Sequence, residues 1–171
     1  MKNIFLIGFM GSGKSSVASY LSREYKMEIV EMDQLIVERE GMSIADIFAK
    51  HGEDYFRDIE TNLLVEIQGA QNKVVSCGGG VVLREQNISE MRKSGQIVLL
   101  AAKPETILER VKDNNDRPLL QGNKNVEFIS EMMEKRRERY EQAADVVVHT
   151  DGKEIAQICQ EILEQIETIG E

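Results

Sequence analysis

Apolar residues in this chain gather in five short runs: IFLI (4–7), EIVEM (28–32), VVSC (74–77), IVLLAA (97–102) and DVVVH (145–149). Runs this short and this continuous suit strands buried on both faces, as in a parallel sheet. Between them the period becomes helical. Ile155, Ile158, Ile162, Ile166 and Ile169 recur at spacings of 3, 4, 4 and 3, one apolar stripe. Asp151 with Glu154 predicts a capping box at the start of that helix. Helices over about 14–25 and 126–142 are also expected, the second with Ile129, Met133, Arg136 and Tyr140 on one stripe. Strands alternating with helices predict an α/β fold, a parallel sheet covered on both sides. Ligands then bind at the carboxyl ends of the strands.

The polar segment KDNNDRPLLQGNKN (112–125) is too long for an ordinary turn and predicts a mobile cover over a site. No repeat or linker divides the chain, so one domain is expected over residues 1–171.

Charge narrows the functions open to it. A net charge of −9 and a pI near 4.9 disfavour a broad nucleic-acid footprint, which needs a basic face. An anionic substrate would have to be held by local cations. No apolar run approaches the roughly 18 residues of a membrane span. The opening MKNIFLIGFMGSGK has a lysine and a short apolar stretch but no small-residue cleavage site, and reads as a buried strand rather than a signal peptide. Cys77 and Cys159 are too few for a disulfide scaffold. A cytoplasmic monomer with free thiols is expected.

The strongest local signal is GFMGSGKS (8–15), which fits G-x-x-x-x-G-K-[ST] directly after a strand and before a helix. Gly8, Gly11 and Gly13 let the backbone wrap so that its N–H groups face phosphate oxygens, and the helix N-terminus adds positive charge. Lys14 would reach the β- and γ-phosphates, and the Ser15 hydroxyl would ligate Mg²⁺. A glycine-rich turn with a surface lysine is the plainer alternative, and the strand–helix context argues against it. Guanine-nucleotide switches carry N-K-x-D, whereas the nearest stretch here, NKNV (123–126), lacks the aspartate. A compact small-molecule kinase is the leading class.

Candidates for the acceptor are charged residues at strand ends. Arg136 on its partly apolar stripe faces inward and needs an anion, either a substrate carboxylate or an internal partner. Arg57, in GEDYFRDIE (52–60), has Glu53 and Glu60 at i−4 and i+3, so surface pairing competes with a binding role. Asp33 follows the second strand at its carboxyl end, where it meets substrate or metal or caps the next helix. Three consecutive glycines, Gly78, Gly79 and Gly80, follow Cys77. They serve a turn with positive φ, or a close approach to bare backbone; their place at a strand end facing the phosphate loop favours the second. Cys77 reads as a small core residue.

Taken together, GFMGSGKSS (8–16), EMDQLIVE (31–38), GEDYFRDIE (52–60), CGGG (77–80), RPLL (117–120) and EKRRERY (134–140) resemble the shikimate kinase family, in family order over residues 1 to about 150. The resemblance implies a phosphate-loop fold of nucleoside-monophosphate-kinase type, with five parallel strands in the order 2-3-1-4-5 and a lid over about 112–125. It implies transfer of the γ-phosphoryl of ATP to the 3-hydroxyl of shikimate, in chorismate and aromatic amino-acid biosynthesis. Gly11, Ser12, Gly13, Lys14, Ser15, Ser16, Arg110 and Arg117 are then expected at ATP, with Arg110 against adenine and Arg117 on the phosphates. Asp33 would orient or deprotonate the attacking hydroxyl within an acceptor region at about 31–60. Arg57 and Arg136 would hold the shikimate carboxylate, Glu60 would steady Arg57, and Gly78, Gly79 and Gly80 would offer backbone contact. Family members often carry Asp-x-Asp where this chain has Glu31-Met32-Asp33. The first acid helps organise Mg²⁺ through water, and glutamate keeps the charge with one more methylene. Rival readings are a gluconate or nucleoside-monophosphate kinase, and a nucleotide-binding module without catalysis. Triple glycine and paired arginines argue against a nucleotide acceptor.

Overall fold

Each of the five apolar runs forms a strand of one parallel sheet in the computed structural model, which describes residues 1–111 and 125–169. The strands are β1 (Asn3–Ile7), β2 (Glu28–Glu31), β3 (Lys73–Ser76), β4 (Gly95–Ala101) and β5 (Val146–His149). Their order is β2-β3-β1-β4-β5. β1 lies at the centre, where Ile4 pairs with Val74 on one side and Gln96 on the other. This explains its composition: every residue of β1 is buried.

Alternation along β1 divides the core. Phe5 and Ile7 belong to one apolar cluster, Ile4 and Leu6 to another. The second cluster is closed by α1 (Lys14–Tyr25) through Val17, Ala18 and Leu21, and by α8 (Ile155–Ile169) through Ile158, Cys159 and Ile162. The first is closed by α2 (Met32–Glu40), α3 (Ile44–His51), α4 (Glu53–Ile67), α5 (Glu85–Ser94) and α7 (Val126–Ala143). Helix α6 (Pro104–Val111) packs Ile107 and Val111 against Phe9 and Met10 of the phosphate loop.

Local signals explain several boundaries. Ser43 accepts a hydrogen bond from Asp46 N at 3.1 Å and starts α3. Asn125 accepts from Phe128 N at 2.7 Å and starts α7. The second strand ends one residue earlier than expected, because Met32 already begins α2 with its side chain in the core. The capping box expected from Asp151 takes another form. Asp151 Oδ1 accepts from Lys103 N at 3.0 Å and Thr106 Oγ1 at 2.6 Å, so it secures the start of α6.

This topology delivers the phosphate loop, Asp33, the glycine run and Thr150 to the same edge, each just past a strand's carboxyl end. The expected cover at 112–125, with Arg117, falls outside the described residues except for Asn125. Truncating Ile162, fully buried between α8 and the sheet, to alanine should cost about 2–5 kcal/mol in urea-induced unfolding. A cost within experimental error would show that α8 is not part of the cooperative core.

Candidate active site

The phosphate loop joins β1 to α1. Gly11 (φ 79°) and Gly13 (φ 101°) occupy the left-handed region, which turns the chain inward before α1 begins. A Cβ on Gly11 would also stand 2.7 Å from Val111 Cγ1. No side chain caps α1, and no acidic residue lies in its first turn. Its leading N–H groups and partial positive charge are therefore suited to an anion. Lys14 Nζ donates to Gly8 O at 2.7 Å and Phe9 O at 3.2 Å, which holds the ammonium over its own loop. Ser12 is buried, and its Oγ has no hydrogen-bond partner among the described residues. Ser16 is exposed in the first turn of α1. Arg110 crosses from α6 and donates to Gly11 O at 3.0 Å, with Thr150 Oγ1 at 3.5 Å.

Ser15 Oγ donates to Glu31 Oε2 at 3.1 Å. The structure thus brings together the two residues that the sequence connects with Mg²⁺, although β2 and the phosphate loop are separated in the sheet by β3. A cleft of about 350 Å³ runs from Lys14 and Ser15 past Glu31 and Asp33 to Gly78 and Gly79. Phosphate-binding and acceptor-binding candidates therefore share one space.

The far wall of that cleft is built around the glycines. None of the three adopts positive φ, so the turn conformation does not require them. A Cβ on Gly78 would stand 2.7 Å from Asp33 Oδ1 and 2.9 Å from Glu60 Oε2. A Cβ on Gly80 would stand 2.5 Å from Arg57 Cζ. These glycines make room for the site's own charged side chains. Gly79 differs: its nearest neighbours would be Arg136 Nη1 at 3.5 Å, Met10 N at 3.8 Å and the Tyr140 hydroxyl at 3.8 Å. Of the three it has the most room where a side chain would stand.

Arg57 and Glu60 are not the surface pair that spacing allows. Both are buried, and Arg57 Nη1 donates to Glu60 Oε1 at 2.7 Å while Nη2 reaches Glu53 at 3.1 Å. The guanidinium carbon lies 5.3 Å from the centre of the Phe56 ring, which stacks edge-on against Phe48. A second buried network holds the backbone in place. Thr61 Oγ1 lies 3.1 Å from Arg57 O and 2.7 Å from Asn87 Oδ1, and Asn87 Nδ2 donates to Val81 O at 2.8 Å. Spacing gave no sign of this network, because Thr61 and Asn87 are 26 positions apart.

Electrostatics follow from burial. Burial pushes the Glu60 carboxyl up to about 7, a rise that the Asp33 charge assists and that Arg57 and Arg136 only partly offset. The facing carboxylates keep Arg57 cationic despite its own burial. Cys77 is buried and its thiol is pushed up well beyond the ordinary range, so it is an inert core residue. Arg136 is half-buried on α7, whereas Arg137 is exposed and pairs with Glu134 and Glu141. Tyr140, a mere stripe member in the sequence, donates its hydroxyl to Gly79 O.

The phosphate loop thus shares one cleft with Asp33, Gly78 and Gly79. The model of the family described as shikimate kinase matches residues 10–167. The chain belongs to the shikimate kinase family. A shikimate kinase from Persephonella marina is 43% identical over 166 residues, covering 97% of this chain and 99% of the relative. A shikimate kinase from Acinetobacter baumannii, solved in complex with shikimate, superposes with a TM-score of 0.92 at 30% identity, over 99% of this chain and 94% of that one. The Aquifex aeolicus shikimate kinase gives a TM-score of 0.83 at 38% identity over 98% of each chain. This chain is accordingly an ATP-dependent shikimate kinase, an enzyme of aromatic amino-acid biosynthesis. The five-strand order implied by the resemblance is the one observed.

Two substitutions test the wall of the shikimate kinase cleft. Glu60 has its folded-state pKa raised, so its contribution to stability is fully present below the ordinary glutamate range and is lost as pH rises through about 7. Between about pH 5 and 8 the unfolding free energy should fall on the order of 3 kcal/mol from this source. Glu60→Gln should flatten that slope; a variant retaining it would assign the slope to other groups. Gly80→Ala should displace Arg57 and lower stability to urea by about 1–3 kcal/mol, the cost of overpacking of this size. Unchanged stability would mean that Arg57 has room to move.

Proposed function

We propose that Asp33, Arg57, Gly79 and Arg136 seat shikimate, with the 3-hydroxyl beside Asp33 and the carboxylate between the guanidiniums. The shared cleft supports this reading most directly, because it connects Lys14 and Ser15 to Asp33 and Gly79 without a barrier. Gly78 and Gly80 border the ligand through backbone, and Glu60 fixes Arg57. The carboxylate has two cations to meet in a protein of charge −9, which selects for one small acidic acceptor.

On the other side Gly11, Ser12, Gly13, Lys14, Ser15 and Ser16 bind the phosphates of ATP. The orphaned Ser12 Oγ gains a partner there. Arg110, anchored on Gly11 O, borders the adenosine half of the nucleotide. Arg117 keeps the phosphate role that the resemblance implies.

Mg²⁺ suits the donors present. The Ser15 hydroxyl would bind it directly and the Glu31 carboxylate would hold one of its waters, a hard-oxygen set. Among the described residues no group of three metal-ligating His, Cys, Asp or Glu exists, which fits a cation that keeps waters and phosphate oxygens. When bound, it supplies charge neutralisation between the β- and γ-phosphates.

The reaction needs positioning more than covalent chemistry. Asp33 accepts the hydrogen bond, and then the proton, of the 3-hydroxyl. That oxygen forms a bond to the γ-phosphorus in line with the breaking bond to the β-phosphate oxygen, which leaves on ADP with the electron pair. Lys14 and the first N–H groups of α1 stabilise the charge spread over the equatorial oxygens. The buried thiols of Cys77 and Cys159 suit the reducing cytoplasm, and no described helix is long and apolar enough to cross a membrane.

Lys14→Ala should lower kcat about 10²–10³-fold in an ADP-release assay; near-normal turnover would remove Lys14 from the mechanism. Arg136→Ala should weaken shikimate binding roughly 10- to 150-fold, the loss of one charge-assisted contact, and change ATP binding far less. Equal losses for both ligands would make Arg136 a structural residue.

A further inference from the structure

Three adjacent glycines form the least constrained backbone that a protein can place in a binding wall. Two of their carbonyls are held within the turn itself: Gly78 O accepts from Val81 N at 3.2 Å, and Gly80 O accepts from Leu83 N at 3.1 Å. The third, Gly79 O, is held from another element by the Tyr140 hydroxyl. In a trans peptide the N–H lies opposite the carbonyl. Fixing Gly79 O therefore also fixes the direction in which Gly80 N–H points.

Arg136 lies one helical turn before Tyr140, so both project from the same face of α7. They meet the same glycine, with Nη1 of Arg136 at 3.5 Å and the hydroxyl of Tyr140 at 3.8 Å from where a Gly79 Cβ would stand. One turn of one helix thus takes the carbonyl of Gly79 and borders its open side. The tyrosine ring is buried in the core. Tyr140, with Phe9, Leu99 and Met133, borders an apolar cavity of about 270 Å³, which leaves part of its surroundings unfilled. Burial pushes the phenol up to about 12, so it remains a donor throughout the working range.

We propose that Tyr140 is a positioning residue for the acceptor, its hydroxyl setting the orientation of the Gly79–Gly80 peptide and the register of Arg136 beside it. This rests on the reading that Gly79 and Arg136 meet shikimate. The competing account is a core tyrosine whose hydroxyl merely finds a partner.

Tyr140→Phe separates the two, because it keeps every ring atom. Shikimate binding by calorimetric titration should weaken about five- to tenfold, the scale of one hydrogen bond plus a carbonyl left unpaired. ATP binding should stay within about twofold and the thermal midpoint within a few degrees. Amide exchange at Gly79 and Gly80 should quicken while that of β1 does not. Combined with Arg136→Lys, the loss should fall short of the product of the two single losses. Unchanged shikimate binding in Tyr140→Phe, while Arg136→Lys weakens it, would overturn the positioning role alone. Unchanged binding in Arg136→Lys would overturn the acceptor site on which it rests. Equal weakening of both ligands with a large drop in melting temperature would leave Tyr140 a core residue and overturn the proposal.

Discussion

The contact between the buried Arg57–Glu60 pair and a stretch of backbone without side chains governs the geometry of one wall of this site. A guanidinium and a carboxylate in the interior lose hydration worth several kcal/mol each. Their mutual hydrogen bond at 2.7 Å offsets that only while both are held rigidly. Gly80 supplies the rigidity on one side by letting the guanidinium lie against its main chain, and Phe56 supplies it on the other. Gly78 does the same for Asp33 and Glu60. Charges that would repel or desolvate one another in a looser cavity are thereby fixed around one small space.

The sheet explains why that space adjoins the phosphate loop. β1 is central, and its carboxyl end becomes the phosphate loop. β3 beside it ends in the glycine run, and β2 beyond ends in Glu31, with Asp33 in the first turn of α2. Three neighbouring strand ends therefore place a phosphate cradle, a bare wall and a carboxylate side by side, with no long loop needed. The N-terminus of α1 points its positive end at the same place.

How much of this could be read from residues alone differs from place to place. The Ile155–Ile169 stripe and the five apolar runs gave their elements within a residue or two, because burial on a sheet or under a helix imposes a period that nothing else produces. Asp151 shows the limit: its carboxylate had two helix starts within reach, and only the fold placed Lys103 N and Thr106 nearer. The glycine run was recognised as a place of close approach, yet the groups approaching Gly78 and Gly80 are Asp33, Glu60 and Arg57, from helices distant in sequence. The Tyr140–Gly79 and Thr61–Asn87 bonds left no trace in spacing, since each depends on two elements meeting.

Local chemistry written in order along the chain was thus settled by sequence: the phosphate loop, the strand–helix alternation and the family motifs carry their meaning within a few residues. Tertiary structure decided which charges are buried together, why the third strand's end must be bare, and what restrains it. Those outcomes depend on desolvation and contact between segments far apart in the chain, quantities that exist only once the helices have closed over the sheet.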